Sequence, residues 1–222
     1  MQSESVSSET ATPTTAGYSL VLPPGWVRIP LRGGTDEAIR TVVKRAFAKP
    51  PRDVPRDEPA KLRVQLEARL RDTATQAAES DGLDLYLPTA PRGGVGLTGS
   101  FIVSEIRLRV GDSLNADDIT GELAARASSQ KVSVDGRTGA RTERALPANE
   151  SRGAPYASRQ VNYVLPVPKA PGRWLTIAYS TPADGNPEGE YADLLVELFD
   201  AIMSTFDWIL PERPEQAALD GA

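Results

Sequence analysis

The chain of 222 residues contains no cysteine and no histidine. Without cysteine there is no disulfide, no thiolate nucleophile, no cysteine-built zinc site and no lipid-modified N-terminal cysteine. Without histidine, Ser-His-Asp and Cys-His catalysis, imidazole bases and metal sites built on imidazole all fall away. Only Asp, Glu, Lys, Tyr, Ser and Thr remain for chemistry, so neither an enzyme nor a cofactor is expected. Long apolar runs are absent too: none approaches the about 18 residues of a membrane span. The first residues, MQSESVSSETATPTTAG, lack the basic start and apolar stretch of a secretory signal. The chain is therefore expected to be cytoplasmic. Positive charge is in short supply, with 25 Lys and Arg against 30 Asp and Glu, a formal net charge of −5 and a pI near 5.0. That balance argues against nucleic acid or an anionic membrane as the main partner, because phosphate binding needs a positive excess.

What is present is an ordinary globular composition, 40% hydrophobic and 25% charged. The length suits one domain with a proper core and is short for two. The expected organisation is a single domain over 17–210, with mobile tails at 1–16 and 211–222, where little can be buried.

The clearest stretch runs from Arg173 to Leu210. Leu175, Ile177 and Tyr179 alternate with Trp174, Thr176 and Ala178 as in a strand. Pro182, Gly185, Asn186, Pro187 and Gly189 then break the chain. Tyr191, Leu194, Leu195, Leu198, Phe199, Ile202 and Phe206 follow at steps of three and four, which predicts a long helix with one apolar stripe. Asp193, Glu197 and Asp200 fall on its opposite, water-facing side.

Earlier in the chain, Tyr18–Leu22 and Trp26–Leu31 read as strands separated by Pro23, Pro24 and Gly25. Thr35 is placed to cap a helix carrying Ile39, Val42, Val43 and Phe47. After a proline-rich hinge, a second helix runs from about Pro59 to Ser80 with a narrow Leu/Ala stripe, suited to the outside of the domain. Leu83–Leu87 and Ser100–Val110 alternate as strands. In the second, Ile102 and Ile106 face one way, and Phe101 and Val103 the other, which is outward unless a helix covers it. Asn115 caps a short helix. Lys131–Leu146 is a hairpin signalled by Asp135-Gly136, and Tyr156–Val167 is a further strand. Runs of strands between helices predict an α+β fold, a central antiparallel sheet flanked by helices in α/β/α layers.

Three features bear on function. Gly94, Gly96 and Gly99 match G-x-G-x-x-G, but the next residues read as a strand, whereas a dinucleotide site needs a helix there to hold the pyrophosphate. A phosphate loop also fails, since Ser100 stands where its lysine belongs. Asp117, Asp118 and Glu122 group carboxylates as a hydrolase or cation site would, although helix capping explains the two aspartates. Arg137, Arg141, Arg144, Arg152 and Arg159 lie along the meander near Tyr156. They are either solvated edge charges or a surface for an acidic protein partner.

The opening GYSLVLPPGWVRIPL, the strand RWLTIAYSTPAD and the closing FDAIMSTFDW resemble the Mog/PsbP-like family, including the actinobacterial LpqN-type proteins. The likeness covers Gly17 to Leu210 and rests on Tyr-x-Leu-x-x-Pro-x-Gly-Trp and Phe-x-x-Ile-x-x-x-Phe-x-Trp. It implies a central antiparallel sheet flanked by helices, used as a non-enzymatic platform for protein partners, with no catalytic residues to carry over. The long second helix is an addition, and without a lipobox cysteine the extracytoplasmic placement of LpqN-type members does not carry over. The expected function is thus a non-catalytic protein-binding or accessory module. The competing class is a carboxylate-dependent hydrolase.

Overall fold

Alternating apolar side chains build the strands. The computed structural model describes residues 16–47, 58–89, 97–107, 129–150 and 154–210. Among them the chain forms β1 (Gly17–Ser19), β2 (Trp26–Pro30), α1 (Thr35–Ala46), α2 (Glu58–Glu79), β3 (Gly82–Pro88), β4 (Ser100–Arg107), β5 (Ser129–Val134), β6 (Arg137–Leu146), β7 (Ser158–Pro166), β8 (Arg173–Thr181), α3 (Glu190–Met203) and β9 (Asp207–Ile209). The expected tails, apart from Ala16, lie outside the described residues. So do the helix expected after Asn115 and most of the proline hinge and glycine-rich loop.

Seven strands make one antiparallel sheet in the order β2-β3-β4-β8-β7-β6-β5, while β1 and β9 pair in a separate antiparallel ribbon. The α+β class is the one expected. Both faces of β3 and β4 are covered. Leu85 and Ile102 pack with Ile39, Val42 and Val43 of α1 and Leu70, Ala74 and Ala77 of α2. On the opposite face Tyr86, Phe101 and Val103 join Leu195, Phe199 and Ile202 of α3. Phe101 and Val103 are fully buried, so of the two placements left open for them the helix-covered one holds. Alternation separates two faces but does not say which is covered, and here a helix lies on each.

Phe199 centres the larger core, with its ring 4.7 Å from Tyr179, 5.4 Å from Phe101 and 5.9 Å from Tyr163. Each fully buried side chain of this size contributes about 1.5 to 3 kcal/mol relative to exposure. The buried stripe of α3 is Ala192, Leu195, Val196, Phe199, Ile202 and Met203. Leu194, expected in it, is 60% exposed. α2 buries only its C-terminal half, leaving Leu62 and Val64 in solvent.

Two boundaries differ from expectation. Thr35 does not cap α1: Gly34 takes the cap position in a left-handed conformation, and the Thr35 hydroxyl donates to the Pro30 carbonyl at 2.7 Å. The closing helix stops at Met203 instead of reaching Leu210. The Ser204 and Thr205 hydroxyls donate back to the carbonyls of Ala201 and Ile202, both at 2.7 Å, and compete with helical bonding. Phe206 is then buried, and Asp207–Ile209 pairs with Gly17–Ser19. The expected first strand is correspondingly shorter and belongs to this ribbon.

Asp135 and Gly136 join β5 to β6 in a two-residue turn with φ of 48° and 66°, the positive values of a type I′ hairpin.

Candidate functional site

Of the meander arginines, Arg141, Arg144 and Arg159 border one depression, while Arg137 sits apart from them. Side chains alternate across β6, so Arg137, Arg141 and Glu143 point to the α3 side, while Arg144 points to the opposite one. Arg137 sits at the β5–β6 turn, seven residues from Arg144, roughly 23 Å along the strand at about 3.3 Å per residue. Arg144 and Tyr156 lie exposed at the other end of the hairpin. Arg152 is outside the described residues.

Arg141 is only 8% exposed. Its guanidinium reaches Asp200 of α3 twice, Nε to Oδ1 at 3.0 Å and Nη2 to Oδ2 at 2.7 Å, and Nη1 meets Glu143 at 2.8 Å. Tyr163 donates its hydroxyl to Asp200 Oδ1 at 2.8 Å. Asp200 was expected to face water, and instead it anchors the helix to the sheet. Arg159 Nε donates to Glu143 at 2.7 Å, and its Nη2 lies 3.4 Å from Asp193 of α3. An open depression of about 390 Å³ lies over Ser129, Gln130, Arg141, Glu143, Arg144 and Arg159.

The electrostatics suit clasping. Burial works against the charge on Arg141, but the hydrogen bonds to Asp200 and Glu143 outweigh it and raise its pKa. Burial likewise opposes ionisation of Glu143, and Arg141 and Arg159 overcome it to hold that carboxyl below the usual range. Burial, reinforced by the bond to Asp200, pushes the Tyr163 phenol up and keeps it a neutral donor.

A second cluster escaped the sequence reading. Asp84 of β3, 2% exposed, accepts from Arg28 Nε at 2.6 Å, from Arg28 Nη2 at 3.1 Å and from the Tyr18 hydroxyl. The Tyr18 and Tyr86 hydroxyls are 3.1 Å apart. This joins the β1–β9 ribbon to β2 and β3. Burial drives both phenols above their ordinary value. The available signal was a lone carboxylate inside the otherwise apolar GLDLYLP. Glu105 repeats the pattern on β4, accepting from Arg173 Nε at 2.9 Å and Nη2 at 2.6 Å. Arg173 holds its carboxyl below the usual range.

Gly94 and Gly96 lie outside the described residues, and Gly99 opens directly into β4. Thr98 Oγ1 donates to the Ala183 carbonyl at 3.0 Å, and Thr181 Oγ1 donates to the Thr98 carbonyl at 2.7 Å, so the loop exit is tied to the end of β8. Asp117, Asp118 and Glu122 also lie outside. Among the described residues no three Asp, Glu, Cys or His side chains gather as metal ligands would, and no helix is long and apolar enough to cross a membrane.

No family model and no curated protein matches the chain. Two solved structures resemble it distantly in fold. LpqN, involved in cell envelope biogenesis of Mycobacterium tuberculosis, is 11% identical with a TM-score of 0.45, covering 90% of this chain and 88% of that one. A structure from Bacteroides thetaiotaomicron VPI-5482 is 13% identical with a TM-score of 0.37, covering 61% of this chain and 45% of that one. This chain thus matches less than half of the Bacteroides structure.

Proposed function

We propose that this chain is a non-catalytic protein-binding module whose partner docks at the end of the meander carrying Arg144 and Tyr156. The observation that supports this reading is how the shielded acids are used. Asp84, Glu105, Glu143 and Asp200 each contact an arginine, and each contact joins two separate secondary elements. Glu105 and Glu143 are held ionised, whereas an acid catalyst needs a raised pKa. These groups clasp the layers together. Arg144 and Tyr156 are left outward, and they are the residue types enriched at interface hot spots. Beside them Arg159 and the open depression offer a partner a polar rim.

An acidic protein surface is the complement that Arg144 calls for. The test is to capture partners from the native host, purify the strongest, and measure its affinity for the wild type and for Arg144→Glu/Tyr156→Ala. Both positions are exposed, so the variant folds. At least a tenfold loss, about 1.4 kcal/mol, is expected, larger at low salt where screening is least. Unchanged affinity overturns the assigned surface. Turnover of esterase, phosphatase or glycosidase substrates by the purified protein overturns the non-catalytic reading.

A further inference from the structure

Between the β1–β9 ribbon and the lower end of the sheet lies a cleft of about 270 Å³. It is distinct from the meander surface, lying at the opposite end of the β4–β8 pair from the α3 entry. Its inner wall is apolar, with Leu83, Val167, Leu175 and the ring of Trp208. Its rim carries Arg32, Arg107 and Arg173 against one acid, Glu105.

The charge there does not cancel. Glu105 is committed to Arg173 by two short bonds, which neutralises that pair. Arg107 reaches Glu105 only at 3.4 Å and keeps a side chain that is 80% exposed. Arg32 is exposed and makes no ion pair among the described residues. Two guanidiniums therefore stand in excess at the mouth of an apolar cleft, on a chain whose formal net charge is −5. The ring of Trp208 borders the cleft, and its indole N–H, buried like those of Trp26 and Trp174, has no acceptor among the described residues, so its resonance reports on the packing of this wall.

We propose that this cleft binds a small organic carboxylate with a short apolar body, its head on Arg32 and Arg107 and its body against Leu83, Val167, Leu175 and Trp208. Arginine forks suit a carboxylate in two-point contact. The four apolar residues of the wall suit a short apolar chain, and hexanoate is the probe of that class. Inorganic phosphate fits the charge but leaves the apolar wall empty, and a neutral alcohol does the reverse.

The experiment is a titration of the full ¹⁵N-labelled chain with hexanoate, followed at the indole N–H resonance of Trp208 as assigned by its loss in Trp208→Phe, and by calorimetry. A saturable shift of that resonance is expected. Both Arg32→Ala/Arg107→Ala and replacement of hexanoate by 1-hexanol or phosphate should weaken binding by at least about tenfold, the cost of losing charge-assisted bonds or apolar contact. The two arginines are exposed, so circular dichroism of the double variant should match the wild type. The proposal is overturned if hexanoate gives no saturable shift, if the double variant binds it as well as the wild type, or if phosphate or hexanol binds as tightly.

Discussion

Arg141 of β6 and Asp200 of α3 meet in a two-point contact, Nε to Oδ1 at 3.0 Å and Nη2 to Oδ2 at 2.7 Å, which fixes the closing helix on the sheet. The arginine is nearly buried, with a side chain 9% exposed, and the aspartate is 35% exposed. The two ends of the pair are therefore unequal. Removing the acid leaves a buried cation with Glu143 as its remaining acid partner, whereas removing the cation leaves a carboxylate that water and Tyr163 still serve.

Asp200→Ala should accordingly destabilise the protein more than Arg141→Met does. Breaking a fully buried pair costs about 3 to 5 kcal/mol, and the partial exposure of Asp200 reduces that to about 1 to 3. Joining the two changes should recover part of the loss, because no unpaired charge then remains inside. Urea unfolding of the two single variants and the double variant measures this. Equal and additive losses would mean that the contact is not coupled.

Gly82→Ala tests how closely α2 is set against β3. A methyl group at that position would lie 2.5 Å from the Ala77 carbonyl oxygen and 2.7 Å from Leu31 Cδ1. Backbone and a buried leucine must then shift, at a cost of about 1 to 3 kcal/mol. The midpoint of urea unfolding should fall with an unchanged slope.

Local signals made much of this architecture legible. The alternation of Leu175, Ile177 and Tyr179 marks β8 as a strand, and Asp135-Gly136 names the turn type between β5 and β6, because both depend on neighbouring residues. The end of α3 was hidden for the opposite reason. Phe206 continues the helical spacing of Phe199 and Ile202, and what draws the chain out of helix is pairing with Gly17–Ser19 at the far end of the sequence. The clasp between Arg141 and Asp200 spans 59 residues and leaves no periodic trace. The arginine cluster looked continuous in sequence, yet the two-residue period of β6 sends Arg141 and Arg144 to opposite faces.

Acid should loosen the sheet through Glu105 and Glu143, whose arginine partners lie on the same sheet. Arginine bonds hold both carboxyls below the usual range in the folded state. A depressed pKa means that the unfolded chain binds the proton first, so stability is complete above the unfolded value of about 4.3 and is lost as pH falls through the folded value. Glu105→Gln should lower stability at neutral pH and flatten the acid limb of the stability curve. A limb as steep as that of the wild type would show that this carboxyl does not carry it.

Alkali should act through the buried phenols. Burial pushes Tyr179 up to about 12 and raises Tyr18, Tyr86 and Tyr163 as well. For a raised acid the sign is reversed: the unfolded chain gives up its proton near pH 10 while the folded one retains it. The stability these phenols contribute is thus intact below pH 10 and declines as pH climbs through the folded values. The buried phenols should ionise late and together with loss of the fold, because a phenolate at Tyr18 would face the carboxylate of Asp84. Phenolate absorbance and circular dichroism recorded in one alkaline titration follow the two together. Tyr18→Phe should weaken the attachment of the β1–β9 ribbon yet remove one late proton, so its alkaline limb should be shallower than that of the wild type. Ionisation of Tyr18, Tyr86, Tyr163 and Tyr179 near pH 10 with the fold intact would mean that water reaches these phenols freely in the native state.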